Sequence, residues 1–181
     1  MGEYDKGLEY HKKALEIILA VYGTETADVR IGFSYSNLGR VYYRMGEYSK
    51  ALKYHTESLK MMLAVYGAEA THADIATTYN NIGSTYDKMC NYNKALEYHT
   101  KSSDMLLAVY GAEAAHRDIA TSYNNIGLAY YAKYFLSLES ASTASVNPLV
   151  HGVKFMRSGQ PTLQKSRAAY SQHSANPGCR K

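Results

Sequence analysis

Residues 46–89 read GEYSKALKYHTESLKMMLAVYGAEATHADIATTYNNIGSTYDKM, and residues 90–133 read CNYNKALEYHTKSSDMLLAVYGAEAAHRDIATSYNNIGLAYYAK, identical at 28 of 44 positions. Residues 2–45 form a looser copy. Tyr22-Gly23, Tyr66-Gly67 and Tyr110-Gly111 therefore recur at 44-residue spacing, as do Gly39, Gly83 and Gly127. Self-similarity at such a period marks a solenoid of stacked units, none of which can bury its apolar face alone.

Within each unit the apolar residues step by three or four. One ladder runs Tyr48, Leu52, His55, Leu59, Met62/Leu63 and Tyr66, and returns at Tyr92, Leu96, His99 and Leu106. The first copy of it is Leu8, His11, Leu15, Ile18/Leu19 and Tyr22. That is the period of an amphipathic helix. The glycine after each closing tyrosine is placed for a left-handed cap. A second ladder runs Ile75, Tyr79, Ile82, Tyr86 and Met89, with Ile119, Tyr123, Ile126 and Tyr130 as its next copy. Asp74 and Asp118 are the expected N-caps of these helices. Asp28 lies two residues earlier relative to Ile31, so that copy is expected to start earlier. Gly39, Gly83 and Gly127 fall in mid-helix, where glycine costs about 1 kcal/mol against alanine. Their recurrence implies a closely approaching neighbour, with Ala51 and Ala95 as the expected facing residues. Gly46 supplies the turn between paired helices. Cys90 replaces it in the next unit, and Asn91 is expected to take the left-handed role there.

The reading is an all-α superhelix of about six antiparallel helices over residues 1–133, followed by a C-terminal tail. It comprises a half repeat (2–23), full repeats at about 26–67 and 70–111, and the first helix of a fourth from about 118. The ladder stops at Tyr134. Residues 134–181 hold the helix end, expected near Leu138, and a Ser/Ala/Gly/Pro-rich stretch expected to be disordered from about Ser142, with Leu149–Met156 as its apolar patch. All three prolines lie there. Residues 1–133 carry 14 Lys+Arg against 15 Asp+Glu, whereas the remainder has six basic residues and only Glu139. The array is near neutral and the tail basic. Two cysteines are too few for a disulfide framework, and no run of apolar residues is long enough to span a membrane. A soluble, cytoplasmic protein is expected. Entry in mid-repeat suggests that a longer array has been cut or mis-started.

The pattern Tyr79-x-x-Ile82-Gly83-x-x-Tyr86 followed by Ala95 resembles the tetratricopeptide signature with Tyr replacing Trp, at a period longer than the usual ~34 residues. The blocks NYNKALEYHTKS, LAVYG and DIATSYNNIG are similar to those of the kinesin light chain tetratricopeptide array. The resemblance covers residues 2–133. It departs at a longer linker, Gly67 to Asp74, in the incomplete fourth unit, and in the lack of heptad repeats.

The resemblance implies a right-handed superhelix whose first helices line a concave, peptide-binding groove. Carried over by register, the groove positions include Asn37, Arg40, Tyr43 and Arg44, then Asn80, Asn81, Ser84 and Lys88, then Asn124, Asn125 and Tyr131. Phe33, Ser36, Thr77, Asp87, Thr121 and Leu128 share those registers. Asparagine amides in a row present donor and acceptor to an extended backbone, and Arg40, Arg44 and Lys88 suit an acidic peptide. The family's acidic, tryptophan-containing cargo is the implied ligand. The alternative for the asparagines is hydrogen bonding between repeats.

His11, His55 and His99 fall one per unit, too far apart to converge on one ion, and are read as packing or hydrogen-bonded residues. No phosphate loop, nucleophile elbow or zinc-protease motif occurs, and no paired carboxylates repeat. An enzyme, a cofactor and a metal are not expected. The expected function is an adaptor or scaffold, with self-association through the array ends as a further expectation. A nucleic-acid-binding solenoid is the alternative, weakened by the lack of a basic stripe. A fragment of a larger signalling protein is another.

Overall fold

The computed structural model describes residues 2–24 and 26–144, and among them there are six helices and no strand. They are α1 (Glu3–Tyr22), α2 (Val29–Arg44), α3 (Tyr48–Tyr66), α4 (Ala73–Lys88), α5 (Tyr92–Tyr110) and α6 (Arg117–Ala144). The chain divides into two compact units, Met1–Lys133 and Tyr134–Lys181. Expectations for the apolar patch at 149–156 lie outside the described residues. The last helix continues past Leu138 and past Ser142, further than the ladder implied.

In the first unit α2 pairs with α3 and α4 with α5, while α1 packs on α2 and α3 on α4. α2 also touches α4, and among the described residues α3 makes no comparable contact with α5. First helices of successive repeats thus lie side by side in the first unit. Each layer buries a few apolar residues, such as Ile31, Leu38 and Met62 in one and Ile75, Ile82 and Leu106 in the next. Ala76, Leu106 and Ile119 form one continuous cluster across three helices.

The mid-helix glycines are notches, as the spacing predicted, but alanines do not fill them. A Cβ on Gly83 would lie 2.8 Å from the His99 ring, and one on Gly39 would lie 2.6 Å from the His55 ring. Ala51 and Ala95 are fully buried, but the atoms nearest each notch belong to the histidine ring. The edge of an imidazole needs the space a missing side chain leaves. Beside Gly127 no atom lies within 4 Å.

Three local expectations are corrected. The first helices start in one register, because the cap is Asp28 in α2 and its equivalents His72 and His116 in α4 and α6. Asp28 accepts from the Arg30 amide, and the Nδ1 atoms of His72 and His116 accept from the amides of Asp74 and Asp118. Asp74 instead accepts the Tyr66 hydroxyl at 2.8 Å, while the Tyr66 ring stacks on His72 at 3.7 Å. Cys90, not Asn91, takes positive φ at 59°; Asn91 caps α5 through the Lys94 amide. Gly67 has the expected positive φ of 100° but an extended ψ of 148°, a region essentially reserved for glycine.

Candidate functional site

α2 and α4 lie side by side, and α6 is bonded to α4 through Asn125 and Asn80; side chains one turn apart on each helix project toward the same surface. Arg40, Tyr43 and Arg44 of α2 meet Asn81 and Ser84 of α4 around a cavity of ≈170 Å³, and His55 of α3 completes its lining. Five residues nominated by register thus surround one space. Arg40 and Arg44 are exposed and make no ion pair among the described residues. Tyr43 is half-buried with its ring edge-on to Tyr48 at 5.8 Å, and burial pushes its phenol pKa up.

The other nominated residues are placed differently. Asn80 Oδ1 lies 2.9 Å from His99 Nδ1 and accepts a hydrogen bond from Asn125 Nδ2, also at 2.9 Å. That contact bridges α4, α5 and α6, which is the repeat-to-repeat bonding weighed as the alternative for the asparagines. Asp87 Oδ2 sits 3.0 Å from His99 Nε2, so its carboxylate is turned onto the pair interface. Asn37 is half-buried on α2; Asn124, Lys88 and Tyr131 are exposed and do not line the cavity.

His55 is the site residue that sequence reasoning left among the packing histidines. Its ring is 1% exposed, yet it forms a wall of the cavity and its Nδ1 has no hydrogen-bond partner. Burial first, and the Arg40 charge second, push its pKa down to about 4. The available signal was the register: Ser36 and Tyr43 stand where Asn80 and Asp87 serve the next histidine.

Among the described residues no group of His, Cys, Asp and Glu could hold a metal ion, and no helix is long and apolar enough to cross a membrane. The cavity walls offer hydrogen bonds and positive charge.

The chain is similar to known proteins in sequence and in fold. The family model described as tetratricopeptide repeat matches three overlapping stretches, residues 1–64, 31–108 and 74–133. No curated protein gives a significant match. Among solved structures, BtubC (BKLC) from P. vanneervenii, a kinesin light chain-like tetratricopeptide protein, superposes with a TM-score of 0.63. The two are 20% identical over 88% of this chain and 64% of that one, so this chain spans less than two thirds of its length. At that identity the likeness shows the fold. Three repeat matches in register with the helices above settle the family: the chain belongs to the tetratricopeptide repeat family.

Proposed function

We propose that this chain is a non-catalytic, cytoplasmic scaffold that holds an extended acidic peptide on the face shared by α2 and α4. Tetratricopeptide arrays are protein–protein interaction scaffolds, and that coarser role follows from the family. The finer reading rests on one observation: Arg40 and Arg44 converge with Asn81, Ser84 and Tyr43 on a single cavity between successive first helices. Unpaired guanidinium groups favour carboxylates in bidentate geometry, and Asn81 supplies a donor and an acceptor for a peptide backbone. A peptide array probed with the full chain tests it. Enrichment of acidic sequences, lost with Arg44→Glu, is the expected outcome. Capture indifferent to peptide charge refutes it.

A second reading concerns self-association. In complete pairs Tyr54 packs against Tyr35 and Tyr42, and Tyr98 against Tyr79 and Tyr86. Their counterparts Tyr10, Tyr123 and Tyr130 are 70%, 52% and 60% exposed, and Gly127 stands open in the register of Gly83. α1 of one copy, bringing Tyr10 and His11 to α6 of another, would rebuild the same pair head to tail. Sedimentation of the wild type and of Tyr10→Glu tests this: concentration-dependent association abolished by the substitution supports it, and a monomer at all concentrations refutes it.

A further inference from the structure

α1 and α6 expose complementary halves of a contact that the complete pairs make. In the α4–α5 pair, His99 fills the Gly83 notch, its ring 2.8 Å from the place of a Cβ, and its Nδ1 lies 2.9 Å from Asn80 Oδ1. Two turns further along α5, Leu106 joins Ala76 in one buried cluster. One repeat on, in α6, the counterparts are Gly127, Asn124 and Ala120. All three are exposed, whereas Gly83 and Ala76 are buried and Asn80 is half-buried. Two repeats back, in α1, the counterparts are His11 and Ile18, half-buried where His99 and Leu106 are buried. A polar mismatch is avoided. Ser102 donates to the Ala76 carbonyl and Ser58 finds no partner, but α1 carries Ala14 there, which has no hydroxyl to satisfy. A carboxylate is also replaced: Tyr131 stands in the register of Asp87, whose Oδ2 lies 3.0 Å from His99 Nε2.

We propose that copies of this chain join through an asymmetric junction in which His11 of one copy enters the Gly127 notch of the next, bonds Asn124, and does so only as the uncharged ring, so that acid opens the junction. The proposal rests on the self-association reading above and adds the residue that seats the contact and the condition that breaks it. The α1 and α6 faces differ, so the contact does not close on itself as a two-fold dimer would, and growth is head to tail. The pH dependence follows from what surrounds the ring. α2, which packs on α1, contains no acid, and its Arg40 holds the register of Ser84 beside His55. From the second copy, α6 offers the Tyr131 phenol. Its only acid over residues 117–133 is Asp118, about 13 Å along the axis from Gly127. One turn away on α1 itself lie Gly7, Leu8, Ala14 and Leu15, all neutral. A charged ring buried there would meet Arg40 and no counter-ion. Burial and the same Arg40 already push the pKa of His55 down to about 4. A charged imidazole must therefore release its proton to join. For one proton released per junction, the association constant falls roughly tenfold from about pH 7.5 to about pH 5.5.

Sedimentation velocity of the full chain, with three variants, is the test. Gly127→Leu fills the notch on α6, and Tyr10→Glu places a charge on the α1 face. Both positions are exposed, so both variants should fold, as thermal melts will check. Each should be monomeric alone. Their equimolar mixture should form a one-to-one dimer and stop there, because one intact face of each sort remains. Wild type should form larger species whose association weakens roughly tenfold from about pH 7.5 to about pH 5.5. His11→Gln keeps a hydrogen-bonding side chain that does not titrate, and should associate equally at both. His55 is present in every variant, so an effect through that ring would persist in His11→Gln. The proposal is overturned if the mixed variants stay apart, if wild-type association ignores pH, or if His11→Gln keeps the full pH response. Association that persists alongside any of these results sinks the junction and spares the self-association reading. A monomer at every concentration and pH sinks both, and leaves the two exposed faces to another partner.

Discussion

Gly83→Ala should destabilise the array although it improves the intrinsic helix propensity of α4. The added methyl would sit 2.8 Å from His99 Cε1 and Nδ1 and 3.0 Å from Cγ, distances at which something must shift. The atoms met belong to a rigid ring, and Asn80 and Asp87 hold it from both sides. Moving the ring strains or breaks both contacts and leaves buried polar atoms unpaired. Propensity contributes about 1 kcal/mol in favour of alanine, overpacking costs about 1–3 kcal/mol, and an unpaired buried polar group costs about 1–3 kcal/mol. The net expectation is a loss of about 1–5 kcal/mol, which lowers the melting midpoint by roughly 4–20 °C for an array of this size. Gly127→Ala is the matched control, with the same register and no atom within 4 Å of the new Cβ. It should keep the propensity gain and raise the midpoint by a few degrees. Paired thermal and urea melts decide the matter. Shifts of the same sign in both variants would refute the notch explanation of the recurring glycine.

Asn80→Ala removes one partner from His99 and one from Asn125, and should cost about 1–3 kcal/mol, read as a drop in urea midpoint. The neutral His55 makes stability depend on pH. The unfolded ring, with its ordinary pKa near 6.5, binds a proton more readily than the folded one near 4, so this stability is complete above about pH 6.5 and is lost as pH falls toward 4. The loss is at most about 3 kcal/mol. Arg40→Ala removes the second cause of the shift and should shrink that acid loss, measured as the midpoint difference between neutral and acid pH. Asp28→Ala should cost about 1 kcal/mol through loss of the α2 cap, visible in the same melts.

The fold was legible because the repeat gives every structural signal several times. The Tyr-Gly pairs ended α1, α3 and α5, and the apolar ladders placed all six helices. What escaped reading were roles that depend on which atom reaches where. Asp74 and Asp118 have the usual chemistry of a cap, yet the imidazoles of His72 and His116 hold the register of Asp28 and accept the amide protons there. Volume reasoning set alanine opposite glycine, whereas the flat edge of His55 or His99 fits the same notch. Cys90 holds a left-handed turn that residue preferences assign to its neighbour. In the candidate site, five positions carried over from the family resemblance, Arg40, Tyr43, Arg44, Asn81 and Ser84, line one cavity. Register alone did not show that Asn80 and Asn125 bond each other, because that contact joins residues a full repeat apart. Nor did it show that the changes to Ser36 and Tyr43 leave His55 without partners.

The central claim, that the face shared by α2 and α4 binds an acidic peptide, is tested most directly by calorimetry of the full chain with a peptide recovered from the array. Wild type is compared with Asn81→Ala and Arg44→Glu, each checked by thermal melt. Asn81→Ala should weaken binding by about 1–3 kcal/mol with little change in stability. Arg44→Glu should weaken it further and reduce its salt dependence, since a screened attraction becomes a repulsion. Unaltered binding in both variants, or an Asn81→Ala protein that binds normally but melts far earlier, would contradict the account and leave the asparagine a purely structural residue.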